Sequence, residues 1–253
     1  MCDKMINYVY DDIKPRYNDG IHMIAFDMDF SGKNRRDKIY TGDDEKVRCV
    51  WAHWHEEIEI IVMTGGTLMM SVDGTMNVLH EGDAIVIPPY AGHVGYCPPE
   101  GEEPRYDCML FGPRDFTTGR DREFDEETEN LADRKIIYRQ LLRNGEEESA
   151  RLADIVRRAK KSCESQKIAD RAGKIAAVYD AVSVILSTKT GTAEKIKRKN
   201  LRFVNETMEY ISKNYTLTIS SGDLADRMNY EHTVFCRMFR ENFCANFSNF
   251  LRE

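Results

Sequence analysis

No stretch of this 253-residue chain approaches the ~20 consecutive apolar residues that a membrane-spanning helix needs. No secretory-signal pattern opens it either, so a cytoplasmic protein is expected. The seven cysteines (Cys2, Cys49, Cys97, Cys108, Cys163, Cys236 and Cys244) contain no CxxC pair and no disulfide-scaffold spacing. An odd count without pairing fits reduced, mostly buried thiols. There is no internal repeat and no low-complexity tract, which leaves ordinary globular domains. Positive charge is in deficit, with a net charge of −7, but the deficit is uneven. Residues 195–253 carry ten Lys/Arg against seven Asp/Glu, so everything before them carries −10. Such an acidic body argues against contact with DNA or anionic lipid through that part. The mildly basic tail carries no such objection. At 253 residues and 42% hydrophobic content, the chain can bury a substantial core and hold two domains.

The N-terminal half reads as β structure. Residues 57–63, 67–72, 76–79 and 84–87 are strand-like, separated by Gly65-Gly66, Asp73-Gly74 and Glu81-Gly82-Asp83. Asp73-Gly74 is a strong hairpin signal. Tyr8, Phe26, Met28 and Phe30 fall in opening strands, and 107–111 in a closing one, before a polar connection at 113–123. Short strands at this spacing predict a sandwich or barrel of the jelly-roll type. Within them, WAHWHEEIEIIVMTGG sets His53-x-His55-x3-Glu59-x6-Gly66, and EGDAIVIPPYAGH sets Gly82-x5-Pro88-x4-His93. One residue separates His53 from His55, so a strand would project both from one face. With Glu59 and His93 they offer three imidazoles and one carboxylate, a set suited to Zn, Fe, Mn or Ni. The same residues equally suit the polar lining of a small-molecule pocket or a hydrogen-bonded group inside the barrel. Trp51, His53, His55, Glu59 and His93 are thus the candidate effector pocket, and the last four the candidate metal ligands. No catalytic residue is assigned.

From residue 149 the period becomes helical. Leu152, Ile155, Val156, Ala159 and Cys163 form one stripe. A second helix carries Ile175, Ala176, Tyr179, Val182 and Leu186 on one face and Val178, Ala181 and Ile185 on another. A helix apolar on two faces is buried on both, by the rest of its chain or by a second copy. Residues 187–192, STKTGT, read as an interdomain linker. The basic run at 195–202 is a solvated face or a phosphate contact. Leu201, Val204, Met208, Ile211 and Tyr215 then mark another helix.

Residues 219–251 read as a helix-turn-helix. Ser220 followed by Asp223 is a capping box that opens a helix. Leu224, Ala225 and Met228 form its stripe, and Asn229-Tyr230 interrupts it. In the second helix Val234, Phe235, Met238 and Phe239 face inward, leaving His232, Thr233, Cys236, Arg237 and Arg240 outward. Two short helices with arginines on the free face have the geometry that enters a major groove. The plainer alternative is a helical hairpin with a solvated basic face.

These residues carry a resemblance. Ile219, Asp223-Leu224-Ala225, Phe235-x-Arg237-x-Phe239-Arg240 and Phe247-x-x-Phe250-Leu251 resemble the first helix-turn-helix of the AraC/XylS family of bacterial transcription regulators. The two histidine motifs resemble those of cupins, with His53, His55, Glu59 and His93 where metal-binding cupins place their ligands. Departures are Tyr90 for a frequent Gly, Cys97 for a common Asn, and Cys244 for the Gly after the recognition helix. The resemblance implies a mixed fold, β then α. A cupin jelly-roll β-barrel would span 1–115, connecting and dimerisation helices 116–190, and the first helix-turn-helix of an AraC-type domain 195–253. It further implies a ligand-responsive transcription regulator that is not an enzyme. Such a protein would be a homodimer, would bind a small effector in the cupin, and would contact DNA through His232, Thr233, Cys236, Arg237 and Arg240. The family's second helix-turn-helix is absent from this sequence, so DNA binding near the non-specific range of ~10⁻⁴–10⁻⁶ M is expected. The reading from a different class is a metal-dependent cupin enzyme, a dioxygenase or isomerase, with a helical appendage. The helix-turn-helix separates the two, because an enzyme has no need of it.

Overall fold

The computed structural model describes residues 21, 23–29, 39–40, 47–98, 101–164, 167–192, 203, 206–207, 210–211, 214, 219–243 and 246–252. Tyr8, Phe30, Leu201, Val204, Met208, Tyr215, Cys244 and the basic run at 195–202 lie outside them. Among the described residues the N-terminal half contains nine strands: β1 (Met23–Asp29), β2 (Ile39–Tyr40), β3 (Val47–His53), β4 (Ile58–Gly65), β5 (Thr67–Val72), β6 (Thr75–His80), β7 (Ala84–Ile87), β8 (His93–Cys97) and β9 (Arg105–Phe111). A short strand β11 (Leu141–Leu142) joins them after β10 (Ile136–Tyr138). One five-stranded sheet runs β1-β9-β4-β7-β11 and the other β2-β3-β8-β5-β6. Among the described residues the strands do not close into a ring, so the expected barrel is a two-sheet sandwich, the double-sheet form of a jelly roll.

The first sheet is the middle layer of three. On β4, Ile61 and Met63 meet Leu68, Met70 and Leu79 of the second sheet in one buried cluster. Ile58, Ile60 and Val62 point the other way, into a cluster shared with helices. Burial on both faces explains why this strand is a near-continuous apolar run instead of an alternating one. The hairpin between β5 and β6 turns through Asp73 (φ +47°) and Gly74 (φ +80°), the left-handed pair that matches strand twist. Gly66 (φ +67°) is needed for space as well, since a Cβ there would overlap the Glu103 carbonyl.

Asp83 fastens the β6–β7 turn to the segment that follows β11. Its buried carboxylate accepts from the backbone N–H of His80 (3.0 Å) and of Asn144 (2.9 Å), and pairs with Arg143 at 2.8 Å. Burial opposes ionisation there, yet the two amides and the guanidinium together hold the carboxyl below its ordinary value. Asp83→Ala is expected to cost about 2–3 kcal/mol in urea unfolding, since it removes three hydrogen bonds to a charged group. A group with a depressed folded pKa stabilises above its unfolded pKa. The difference between wild type and variant should therefore be full above about pH 5 and shrink as pH falls below about 3.9. A difference that stays constant down to pH 3 would show that the carboxylate's charge is not what matters.

Residues 113–123, expected as a polar connection, contain a buried turn. Pro113–Phe116 is a 3₁₀ turn, and Phe116 packs edge-on against Phe111 and Tyr179. Asp121 then caps helix α1 (Arg122–Ala132). Helix α2 (Glu147–Cys163) buries the expected stripe of Leu152, Ile155, Val156 and Ala159 on the first sheet. Helix α3 (Ile168–Ser187) is buried on two faces by the chain itself. Val178 and Ile185 are 0% and 1% exposed in that same cluster, so neither is open to a second copy. The large apolar residues α3 leaves exposed are Ile168 and Ile175. The expected linker at 187–192 is corrected as well. Lys189–Thr192 forms β12, paired antiparallel with β10, because its threonines favour extended backbone and Thr190 donates to the Ile137 carbonyl.

The C-terminal part has its own core. Helices α4 (Ser221–Arg227), α5 (His232–Phe243) and α6 (Phe247–Arg252) enclose Leu224, Ala225, Phe235, Met238, Phe239 and Phe247, joined by Phe203 and Ile211. Ser220 caps α4 as expected, accepting from the Asp223 N–H at 3.1 Å. Asn229 (φ +54°) makes the turn to α5. Among the described residues no helix is long and apolar enough to cross a membrane.

Candidate functional site

Glu59 shares the face of β4 that looks between the sheets, and strand pairing brings the histidines to it. β3 and β8 are antiparallel neighbours in register His53↔His93, which places those rings 4.1 Å apart. Register shifts between Arg48 and His53 mark irregular pairing, a device that re-aims side chains. β3 ends at His53, so His55 arrives from the following turn and not by strand parity. Its ring lies 5.6 Å from His53 and 5.1 Å from His93. The ligating atoms of His53, His55, Glu59 and His93 all lie within 4.8 Å of one another. An ion bound at ~2.0–2.2 Å needs donors no more than about 4.4 Å apart, so a contraction of a few tenths of an ångström completes the set. This cluster can hold a metal ion.

The protonation pattern suits that role. A carbonyl only accepts, so His55 Nδ1–H donates to Glu57 O (3.1 Å) and His93 Nδ1–H to Ala91 O (2.9 Å). Nε2 of each ring then faces Glu59 Oε2, both at 3.0 Å. His93 Nε2 is buried and, although close to the carboxylate, has no aligned hydrogen-bond partner. Electron-rich atoms crowded this way call for a proton or a cation between them. Without a cation, the proton goes to His55. Burial disfavours its charge, but the hydrogen bond and charge of Glu59, with Glu57, outweigh burial and raise its pKa. Burial works against the Glu59 carboxylate too, and its two histidine partners still hold it well below the usual range.

Cys108 is a neighbour of the cluster that the sequence motifs do not include. Its thiol donates to Glu59 Oε1 at 3.2 Å, leaving Oε2 for the histidines. Burial first, then the adjacent carboxylate, push its pKa well above the ordinary thiol value, so it stays protonated. Strand parity was the available signal, since Tyr106, Cys108 and Leu110 share one face of β9 and one buried cluster. His53 is the partly exposed member of the four, so an incoming group reaches the site from its side. The side chain of Trp51 lies outside the described residues.

On the second candidate surface, His232, Thr233, Arg237 and Arg240 are exposed on α5. Arg237 lies 3.9 Å from Glu241, a solvent-exposed contact of little strength. His232 Nε2 is 2.9 Å from Ser221 Oγ and 3.4 Å from Cys236 Sγ. Cys236 departs from its expected outward position: it is half-buried and packs on the C-terminal core.

Residues 45–100 match the cupin domain family. No curated protein sequence matches the chain. Among solved structures, apo ToxT from Vibrio cholerae is 10% identical with a TM-score of 0.47, covering 91% of this chain and 78% of its own. The AraC-like transcriptional activator CuxR is 10% identical with a TM-score of 0.39, covering 96% and 88%. An RmlC-like cupin from Shewanella frigidimarina is 18% identical with a TM-score of 0.23, covering 36% and 98%. These distant likenesses carry no functional conclusion.

Proposed function

We propose that this chain is a ligand-responsive, DNA-binding transcription regulator of the AraC/XylS type, with its sensor in the cupin region and its DNA reader in the C-terminal helices. The observation that carries the reading is a capped helix pair with an exposed Thr233, Arg237 and Arg240 face, attached to a cupin with a buried polar cluster. In this reading 1–115 bind a small effector, 116–190 connect and dimerise, and 195–253 read DNA, in the cytoplasm. An effector acts by favouring one arrangement of these parts over another.

His53, His55, Glu59 and His93 would hold a divalent ion, of Zn, Ni, Mn or Fe type. Such an ion would supply a positive charge and an open coordination position for an anionic or carbonyl group of the effector. Cys108 positions Glu59 for it. Cys108→Ala should weaken Zn²⁺ binding about 10–100-fold in calorimetry, and Cys108→Ser, which keeps a donor, should restore most of it. Equal affinity in all three proteins would leave Cys108 a packing residue.

The regulator reading is tested by gel shift across a range of salt. In a full-length protein carrying both helix-turn-helix motifs, Arg237→Ala should lose about 1–3 kcal/mol of discrimination between sequences. Arg240→Ala should weaken every sequence alike and reduce the salt slope by about one. Unchanged binding in both variants sinks the assignment of α5 as the reading helix.

The converging donors also favour a second reading, a metal-dependent cupin enzyme (a dioxygenase or isomerase) with a helical appendage. Turnover by the metal-loaded protein that is indifferent to loss of α5 would select it.

A further inference from the structure

We propose that Trp54 is the lever through which occupancy of the His53–His55–Glu59–His93 site is felt by the C-terminal helical core, a coupling that rests on the ligand-binding reading of that site. Trp54 lies in sequence between two of the four donors. Their imidazoles converge on Glu59, whereas its own indole is half-buried against the core formed by Phe203, Leu224, Phe235 and Phe239. Of the described side chains packed on that core, it is the one that comes from the cupin region.

Trp54 is also where both donor-bearing loops meet. Its ring lies 5.8 Å from Tyr90 at an interplanar angle of 33°. Tyr90 in turn donates its backbone N–H to the His55 carbonyl at 2.7 Å and holds a left-handed φ of +58°. Three residues later the same loop delivers His93. The indole therefore rests on a seat built from the two segments that carry the histidine donors.

The size of that movement follows from the donor spacing. Atoms now up to 4.8 Å apart must close to within about 4.4 Å around an ion. Trp54 is the residue that links His53 to His55, so any part of that closure taken up by their backbone passes through it. Packed interfaces answer sub-ångström displacements by repacking, because they do not deform continuously. The indole Nε1 is buried without an acceptor, so nothing polar anchors the ring in its present orientation.

The test uses the full 253-residue chain and Zn²⁺ alone as the probe, with calorimetry for binding and hydrogen exchange for the response. In the wild type, Zn²⁺ should slow exchange of the Leu224, Ala225, Phe235 and Phe239 amides by about fivefold or more, the low end of typical inter-site coupling. Trp54→Ala should still bind Zn²⁺ and lose that response; if it does not fold, Trp54→Phe should show a reduced one. A response of full size without Trp54, or wild-type binding with no change at those amides, overturns the lever. Should the wild type fail to bind Zn²⁺, the metal reading fails, and the lever is judged on His55→Ala combined with Trp54→Ala. Non-additive effects on the four amides then uphold it, and additive effects overturn it.

Discussion

Zn²⁺ at a hundredfold excess over its Kd is expected to stabilise this chain by about 2.7 kcal/mol, which for a folded unit of 150–250 residues raises Tm by about 5–10 °C. The expectation comes from the condition of the donors. His93 Nε2 is buried with no aligned partner, and two imidazole nitrogens lie 3.0 Å from one carboxylate oxygen. An ion there takes the place of the His55 proton, gives His93 Nε2 a partner, and binds the folded state only. His93→Ala and Glu59→Gln should each abolish the rise, and a chelator should reverse it in the wild type. Differential scanning calorimetry with and without Zn²⁺ reads all of these. The same Tm with and without Zn²⁺, Ni²⁺, Mn²⁺ and Fe²⁺ would leave the four residues as a hydrogen-bonded pocket lining.

Phe239→Ala is expected to melt the C-terminal core while the cupin sandwich persists. Phe239 is fully buried, with ring neighbours Phe235, Phe247 and Phe250 at 5.9, 5.1 and 5.3 Å. Truncating such a ring costs about 3–5 kcal/mol, and this core is small and separate from the two that hold the sheets. Hydrogen exchange should become fast over 219–243 and stay slow over β4 and β9, and any DNA mobility shift should disappear. Retained protection at Leu224 and Phe235 in the variant would mean that the two parts fold as one unit.

The features legible from the order of amino acids were those decided within a few residues. Asp73-Gly74 admits the left-handed conformations of a hairpin, and Ser220 with Asp223 satisfies a helix start wherever that helix packs. Helix α2 announced itself because its stripe recurs every turn. Helix α1 and strands β10 and β11 went unread: the strands are two or three residues long, too short for any period. β12 reads as a linker in sequence because its polar threonines gain strand character only from pairing with β10.

At the site the same division holds. The spacing of His53, His55, Glu59 and His93 named the donors, since residue type alone decides what can ligate. Their meeting was a matter of register: His53 reaches His93 because β3 pairs with β8, and Glu59 joins them because the two sheets stack. Cys108 reaches Glu59 across 49 residues of sequence, and Trp54 packs on a core some 150 residues further on. The second apolar face of α3 reads from sequence as a surface for a second copy, with its own chain as the alternative. Packing against the first sheet closed it around Val178 and Ile185. Local order thus determined turns, caps and the chemistry on offer. Tertiary structure alone decided which groups face one another, because strand pairing and layer stacking join residues whose separation along the chain leaves no periodic trace.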